Sequence, residues 1–217
     1  MDDSIRNMII GSIVLVLASM YGGDTLGSWF HWKHGTDYND GDTAETTLEF
    51  YLKEYKVEGE FDAGPDSSFS DDDYDEDLDY DDNECAITTD CDELEDLMQG
   101  KIKNMLYIAI LAGFVALYFL NDGDKENGAT ACLVMGGAGL IAVLMFALSF
   151  PEALDDDLDA FEDPSDGFDE DPSLFGDDKQ TSDSNIEDER SWRPGLAFAL
   201  VTLSGIIGMA AYAELKN

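Results

Sequence analysis

The chain has 217 residues, 44% of them hydrophobic, and a mean hydropathy of −0.21, averages that would suit a soluble domain. Its formal net charge of −38, from 49 acidic against 11 basic residues, excludes a nucleic-acid-binding surface and opposes contact with anionic headgroups. Neither average holds locally, because the two kinds of residue are segregated. Of the acids, 26 lie between Asp24 and Asn104, 17 between Pro151 and Arg193, and only 6 elsewhere.

Taken in chain order, four blocks are almost free of charge: Met8–Tyr21, Met105–Leu120, Ala129–Phe150 and Gly195–Ala213. A helix that crosses a bilayer needs about 20 largely apolar residues. The third and fourth blocks reach that length alone. The first does so with Asn7, Gly22 and Gly23, and the second with Ile102, Lys103 and Asn104, Lys103 snorkelling to the headgroups. A buried helix of a soluble protein normally keeps a polar face, and these blocks have none. Arg6 and the small residues Ala18, Ser19, Gly22 and Gly23 also suit a signal peptide. Asp2, Asp3 and Met20-Tyr21 do not, and the segment is expected to remain as a signal anchor.

The fold class expected is an all-α membrane protein, a four-transmembrane-helix bundle with a small β-containing acidic ectodomain. Its spans fall at 7–23, 102–120, 129–150 and 194–213. Acidic loops fill 24–101 and 151–193, and a tight Gly/Asp/Asn turn fills 121–128. Four spans put both termini on one side and both acidic loops on the other. Lys101, Lys103, Arg190 and Arg193 flank the loop side, against Arg6, Lys125 and Lys216 at the other, which taken alone would turn the loops inward. The paired cysteines favour an oxidising exterior, so the expectation is a multi-pass plasma-membrane protein with cytoplasmic termini and external loops.

In the first loop, Leu48, Phe50 and Leu52 alternate with polar residues, and Tyr55 and Val57 resume the alternation in the opposite phase. That pattern predicts strands separated by a bulge or turn. Trp29, Phe30 and Trp32 either anchor at the headgroups or pack under the sheet. From Pro65 to Glu84, nearly all Asp, Ser and Tyr, no regular structure is expected. Asp90–Gln99 reads as a helix running across Gly100 into the second span. In the second loop, Leu154, Leu158 and Phe161 fit one face of a short helix, and the remainder reads as flexible.

Cys85 and Cys91 are expected to form a structural disulfide, with reduced thiols the alternative, and make a poor metal pair with His31 and His34 far off in sequence. Cys132, inside the third span, behaves as a small apolar residue. The acidic run that contains Asp71, Asp72, Asp73, Asp75 and Asp77 lacks the glycine of a calcium loop, and Asp37–Asp42 places its glycine one position early. The run predicts weak cation accumulation and no dedicated metal site; its simplest role is to keep the loops hydrated. No phosphate loop, nucleophile motif or apolar pocket around a carboxylate is present, so neither an enzyme nor a cofactor is expected. The spans lack the ionisable groups that mark pumps and secondary transporters. They carry small residues at four-residue spacing, at Ala109 and Gly113, Ala112 and Ala116, Cys132 and Gly136, Ala138 and Ala142, and Ser204 and Gly208, with Gly136-Gly137-Ala138-Gly139 as a smooth patch. Gly113, Gly136, Gly139, Ser204 and Gly208 are therefore expected at helix contacts, within one bundle or between chains.

Four spans, a longer first loop with strands, and Cys85 and Cys91 ahead of the helix Asp92–Gln99 together resemble the claudin-like tetraspan proteins. The family's Gly-Leu-Trp motif before the first cysteine is missing, the cysteine spacing is shorter, and the acidic run is foreign to it. The resemblance implies a role in contacts, barriers or as an accessory subunit, and it implies the disulfide. The function expected is that of a non-enzymatic structural, adhesion-like or interaction protein of the cell envelope. Its partners would be the lipid bilayer, a lateral membrane protein or a second copy, and weakly bound cations. The alternative is a channel-like or transporter-accessory subunit with an acidic vestibule; a divalent-sensing loop is a third reading.

Overall fold

A computed structural model describes residues 3–22, 26–38, 41–64, 72–80, 91–158, 176–181 and 187–216. They belong to two compact units. One is helical, drawn from Met1–Ser28, Asp96–Phe150 and Leu196–Asn217; the other is a sheet unit drawn from Trp29–Glu95 and Pro151–Gly195.

The helical unit holds α1 (Asp3–Tyr21), α3 (Lys103–Asp122), α4 (Lys125–Leu158, which continues past the unit's end at Phe150) and α5 (Leu196–Lys216). A one-turn helix α2 (Asp92–Glu95) and a π-helical segment (Asp96–Ile102) lead into α3. Four helical stretches, Asp3–Tyr21, Asp92–Asp122, Lys125–Leu154 and Leu196–Lys216, are long and apolar enough to cross a membrane. The turn between α3 and α4 is tighter than the expected 121–128. Gly123, at φ 87°, ends α3 in the left-handed conformation, where its N–H reaches the Leu120 carbonyl at 3.3 Å and that of Asp124 reaches Phe119 at 2.9 Å. Asp124 then caps α4 by accepting the Asn127 backbone N–H at 3.0 Å and its side-chain amide at 2.6 Å. These two hydrogen bonds hold the Asp124 carboxyl below its ordinary pKa of 3.8.

The π segment has a cause in the sequence. Met98, Ile102, Leu106 and Ile110 are all buried and fall four residues apart. At 3.6 residues per α turn, each four-residue step precesses by about 40°. A π turn of roughly 4.4 residues precesses about 30° the other way, so placing it over the first step keeps the apolar residues on one side. α4 also departs from expectation. It passes through Pro151 and ends at Leu158, so the segment expected to leave the third span at Phe150 continues as helix. A proline removes one intrahelical donor, and the turns on either side continue the helix across it. Of the three apolar residues assigned to one face there, Phe161 lies outside the described residues.

The sheet unit is one antiparallel six-stranded sheet in the order β4-β3-β2-β1-β6-β5. Its strands are β1 (Phe30–Asp37), β2 (Thr43–Phe50), β3 (Glu54–Asp62), β4 (Asp72–Asp79), β5 (Gly176–Thr181) and β6 (Glu187–Pro194). The phase change after Leu52 is a turn. The Tyr51 N–H bonds to the Glu54 carbonyl at 2.9 Å, and Leu48 then lies opposite Val57, and Phe50 opposite Tyr55. Trp29 and Phe30 are buried in this unit, with the Trp29 N–H on the Phe50 carbonyl at 2.7 Å and the Gly195 N–H on the Trp29 carbonyl at 2.8 Å. Asp37–Asp42, the near-miss to a calcium loop, belongs to the β1–β2 hairpin. Gly41 sits at φ 87°, and the buried Asp42 accepts the Gly64 N–H at 2.6 Å.

Two expectations fail here. The acidic run expected to be irregular contains β4, which pairs with β3 along its length. Ladder hydrogen bonds are made by backbone and ignore side-chain charge, while Tyr74 and Leu78 join the more apolar face. The second loop, expected to be largely flexible, supplies β5 and β6, and β6 pairs with β1 from Asp37↔Glu187 to Phe30↔Pro194. The β-structure is therefore shared by both loops and is not confined to 24–101.

An aromatic cluster underlies the sheet. Phe50 lies 6.2 Å from Phe30 and 6.1 Å from Tyr55, and Tyr55 lies 5.6 Å from Tyr80, ring centre to ring centre. The buried Tyr80 hydroxyl donates to the Tyr51 carbonyl at 2.9 Å, and burial pushes its pKa well above the ordinary value. Tyr80→Phe leaves that carbonyl without its donor and is expected to cost the sheet about 1–2 kcal/mol. All three tryptophans, Trp29, Trp32 and Trp192, lie in the sheet unit, so tryptophan fluorescence during denaturant unfolding reads this loss. An unchanged midpoint would assign the hydroxyl no role in stability.

Candidate functional site

Within the helical unit the small residues are where the helices meet. A Cβ on Gly136 would stand 2.7 Å from the Met209 nitrogen and 2.8 Å from the Gly205 carbonyl oxygen of α5. One on Gly208 would stand 2.8 Å from the Gly136 Cα, and one on Gly139 at ordinary contact, 3.5 Å from the Gly205 Cα. α4 and α5 thus approach backbone to backbone. Gly113 of α3 takes the side chain of Ile13 from α1 on one side and the Met135 sulfur of α4 on the other. Ala109, Ala112, Ala116, Cys132, Ala138 and Ala142 are buried as well. Each of the five residues assigned to helix contacts is consumed inside this chain.

Ser204 does more than make room. Its hydroxyl and that of Ser12 on α1 lie 2.7 Å apart, and each reaches the other's backbone carbonyl at 3.0 Å. Two hydroxyl protons serve three contacts, so the pair exchanges partners without leaving either group unsatisfied. Such a bond between membrane helices contributes about 0.6–2 kcal/mol. Ser12 and Gly205 were not singled out in the sequence. A serine in an apolar block reads as merely small, and only its partner's position on α5 distinguishes it.

The outer faces of the helices invert this chemistry. Ile10 of α1, Leu111 and Phe114 of α3, Leu148 of α4 and Ile206 of α5 are between 43% and 75% exposed. Large apolar groups therefore stand on the outside as well as inside, where Ile9, Leu106, Met135 and Phe146 are buried beside the small residues. Tyr21 and Tyr107, both exposed, approach hydroxyl to hydroxyl at 3.3 Å across α1 and α3.

In the sheet unit the acids gather on the face opposite the aromatic cluster. Glu45, Glu60 and Asp73 lie directly opposite one another on β2, β3 and β4, as do Glu58 and Asp75. Like charges so placed repel. Lys33 meets Glu45 at 2.6 Å, and Lys56 meets Glu58 at 2.7 Å and Asp75 at 3.4 Å, offsetting part of the repulsion. A groove of about 280 Å³ runs over this face among Glu45, Thr47, Glu58, Glu60, Asp73 and Asp75. Next along the face, His31 meets Glu49 at 2.8 Å, and the Tyr51 hydroxyl reaches the same carboxylate at 2.5 Å. Of the acids considered for cations, Asp73, Asp75 and Asp77 alternate with Asp72, which points to the other face, and Asp71 lies outside the described residues. Among the described residues no group of three or more His, Cys, Asp or Glu is placed to hold a metal ion.

Cys132 is free and buried, and Cys91 is buried at the start of α2. No disulfide joins these two described cysteines, and the expected pairing of Cys85 with Cys91 lies outside the described residues because Cys85 does. No protein-family model matches the chain, and no curated protein sequence does so. The claudin-like resemblance accordingly rests on topology and the cysteine pair.

Gly136→Val pushes two methyl groups into the α5 backbone and is expected to destabilise the helical unit by about 2–3 kcal/mol or more. Gly137→Ala, next to it but with no neighbour within 4 Å, should be neutral or stabilising by about 0.5–1 kcal/mol. Thermal unfolding in detergent separates the two, and equal effects would remove the backbone contact.

The acidic sheet also predicts an alkaline limit. The hydrogen bond to Glu58, with lesser help from Asp75, raises the Lys56 pKa above its ordinary 10.5, and the 2.5 Å bond to Glu76 pushes Tyr74 up to about 12. Both raised values mean stability fully present below the ordinary pKa and lost as pH rises through the folded one. Their contribution to β3 and β4 is expected to be fully present up to pH 10.0 and to fade towards about 12. Phenolate absorbance of Tyr74 against a Tyr74→Phe control, with amide exchange of β4, measures it. A Tyr74 that ionises at its ordinary 10.0 would contradict the Glu76 bond.

Proposed function

We propose that this chain is a multi-pass integral membrane protein of the cell envelope that serves a structural or interaction role, its four helices in the bilayer and its acidic sheet in water. One observation carries the reading: every long helix carries large apolar side chains on its exposed side as well as its buried one, Ile10 beside Ile9, Leu111 beside Ile110, Leu144 and Leu148 beside Phe146, and Ile206 beside Val201. Water would penalise so much contiguous apolar surface, whereas lipid tails are as apolar as leucine and leave close packing and buried hydrogen bonds to hold helices together. Tyr21 and Tyr107 suit the headgroup level. The working surface is then the carboxylate-lined face of β2, β3 and β4, which would meet cationic or hydrated partners and repel anionic ones. The claudin-like resemblance adds the expectation of contacts with neighbouring proteins.

A channel-like role draws only on the acidic groove. The buried polar side chains of the described helices, Ser12, Ser19 and Ser204, are hydrogen-bonded to one another or to helix backbone, which leaves none of them lining a path. Purified protein in planar bilayers is expected to be electrically silent, and cation-selective conductance would move the reading to the channel-like alternative.

Orientation is tested with single cysteines at Asp73 on β4 and at Asp124 in the α3–α4 turn. With external loops and cytoplasmic termini, a membrane-impermeant maleimide labels Asp73→Cys in intact cells and Asp124→Cys only after permeabilisation. The opposite pattern would invert the topology. Recovery of the protein in the soluble fraction without detergent would end the membrane reading altogether.

A further inference from the structure

We propose that Asp96–Ile102 is a winding switch in the helix that leads into α3, held in its π state by a latch of Asp96, Gly100 and Lys101. The latch is specific to that geometry. Lys101 Nζ lies 2.7 Å from Asp96 Oδ2, a pair five residues apart. In an α-helix such residues stand about 140° apart around the axis and do not meet; in a π-helix they stand about 50° apart. The carboxylate also occupies the place of a side chain at Gly100, where a Cβ would lie 2.9 Å from Asp96 Oδ1. The Asn104 side-chain amide donates to the Gly100 carbonyl at 2.5 Å, which gives that carbonyl a side-chain partner at the junction of the π and α ladders.

Two opposed tendencies make the segment bistable. The π state keeps Met98 in line with Ile102 and Leu106, all fully buried. The α state has better hydrogen-bond geometry but turns Met98 about 70° away from that line. Asp96 and Lys101, each half or more exposed, add their attraction to the π state alone. Weakening the pair rewinds the turn towards α geometry.

The test is amide hydrogen exchange over 97–103 in the full chain held in lipid nanodiscs, read for the parent, Lys101→Gln, Lys101→Arg, Gly100→Ala and a deletion of Gly100. The deletion removes the extra residue and should impose α geometry. Lys101→Gln is expected to slow exchange about two- to fivefold towards the value of the deletion, the range an exposed ion pair can supply, and Gly100→Ala to slow it at least as much, with Lys101→Arg at the parent rate. Exchange unchanged or faster in Lys101→Gln would make the pair an ordinary surface ion pair and overturn the switch, whatever Gly100→Ala does through helix propensity. Should the deletion fail to fold, the comparison of Lys101→Gln with Lys101→Arg still decides between these outcomes.

Discussion

The backbones of α4 and α5 touch at Gly136, Gly205 and Gly208, and the arrangement of the helical unit follows from how little fits between them. In water, helices are pushed together by the apolar surface they hide. Between the apolar tails of the bilayer proposed for these helices that drive would disappear, leaving dispersion at short range and hydrogen bonds that water does not compete for. Both require close approach. Glycine at Gly136 and Gly208 lets the helices near enough for their backbones to be in contact, and the Ser12–Ser204 pair ties α1 to α5 one turn from Gly208. Gly113 then admits Ile13, so α1 bridges α5 and α3. Met135 and Leu140 pack at the edges of the seam, against Gly208 and Gly205.

The sheet obeys a different constraint. Its strands carry too many carboxylates for side-chain attraction to assemble them, and the directly opposed Glu45, Glu60 and Asp73 oppose assembly. Backbone ladders and the cluster of Phe30, Phe50, Tyr55 and Tyr80 supply the cohesion on the other face. Lys33 and Lys56, two of the eight lysines, stand on β1 and β3 against the rows of carboxylates. Charge here limits the sheet and defines its surface; it does not build it.

These two constraints explain what was legible in the sequence. The four apolar helices were, because partition between water and lipid is decided by side-chain composition over about 20 residues. The helix contacts at Gly136 and Gly208 were readable as small residues at regular spacing. Ser12 and Gly205 were not, since their role depends on which helix faces which. β4 was hidden by its composition: Asp72–Asp79 resembles a disordered tract until β3 offers it a ladder. β6 was hidden by distance along the chain, since nothing local in Glu187–Pro194 reveals that β1 lies beside it. The π segment was not legible, since Met98, Ile102, Leu106 and Ile110 at four-residue spacing also suit the buried face of an α-helix, as the last three show.

The hydroxyl and carboxylate groups of this protein divide along the same line. Where water is scarce, at Ser12 and Ser204, polar atoms are few and each finds a partner within the chain, because an unmet hydrogen bond is most costly there. Where water is plentiful, carboxylates are left in rows with only partial neutralisation, because solvent and counter-ions screen what the lysines do not. A carboxylate moved from β4 into the α4–α5 seam would have neither partner nor solvent, and a glycine seam moved into the sheet would lose the side chains that define its faces. The segregation of acids and apolar residues along the chain is thus the linear form of a division that packing and hydrogen bonding each require independently.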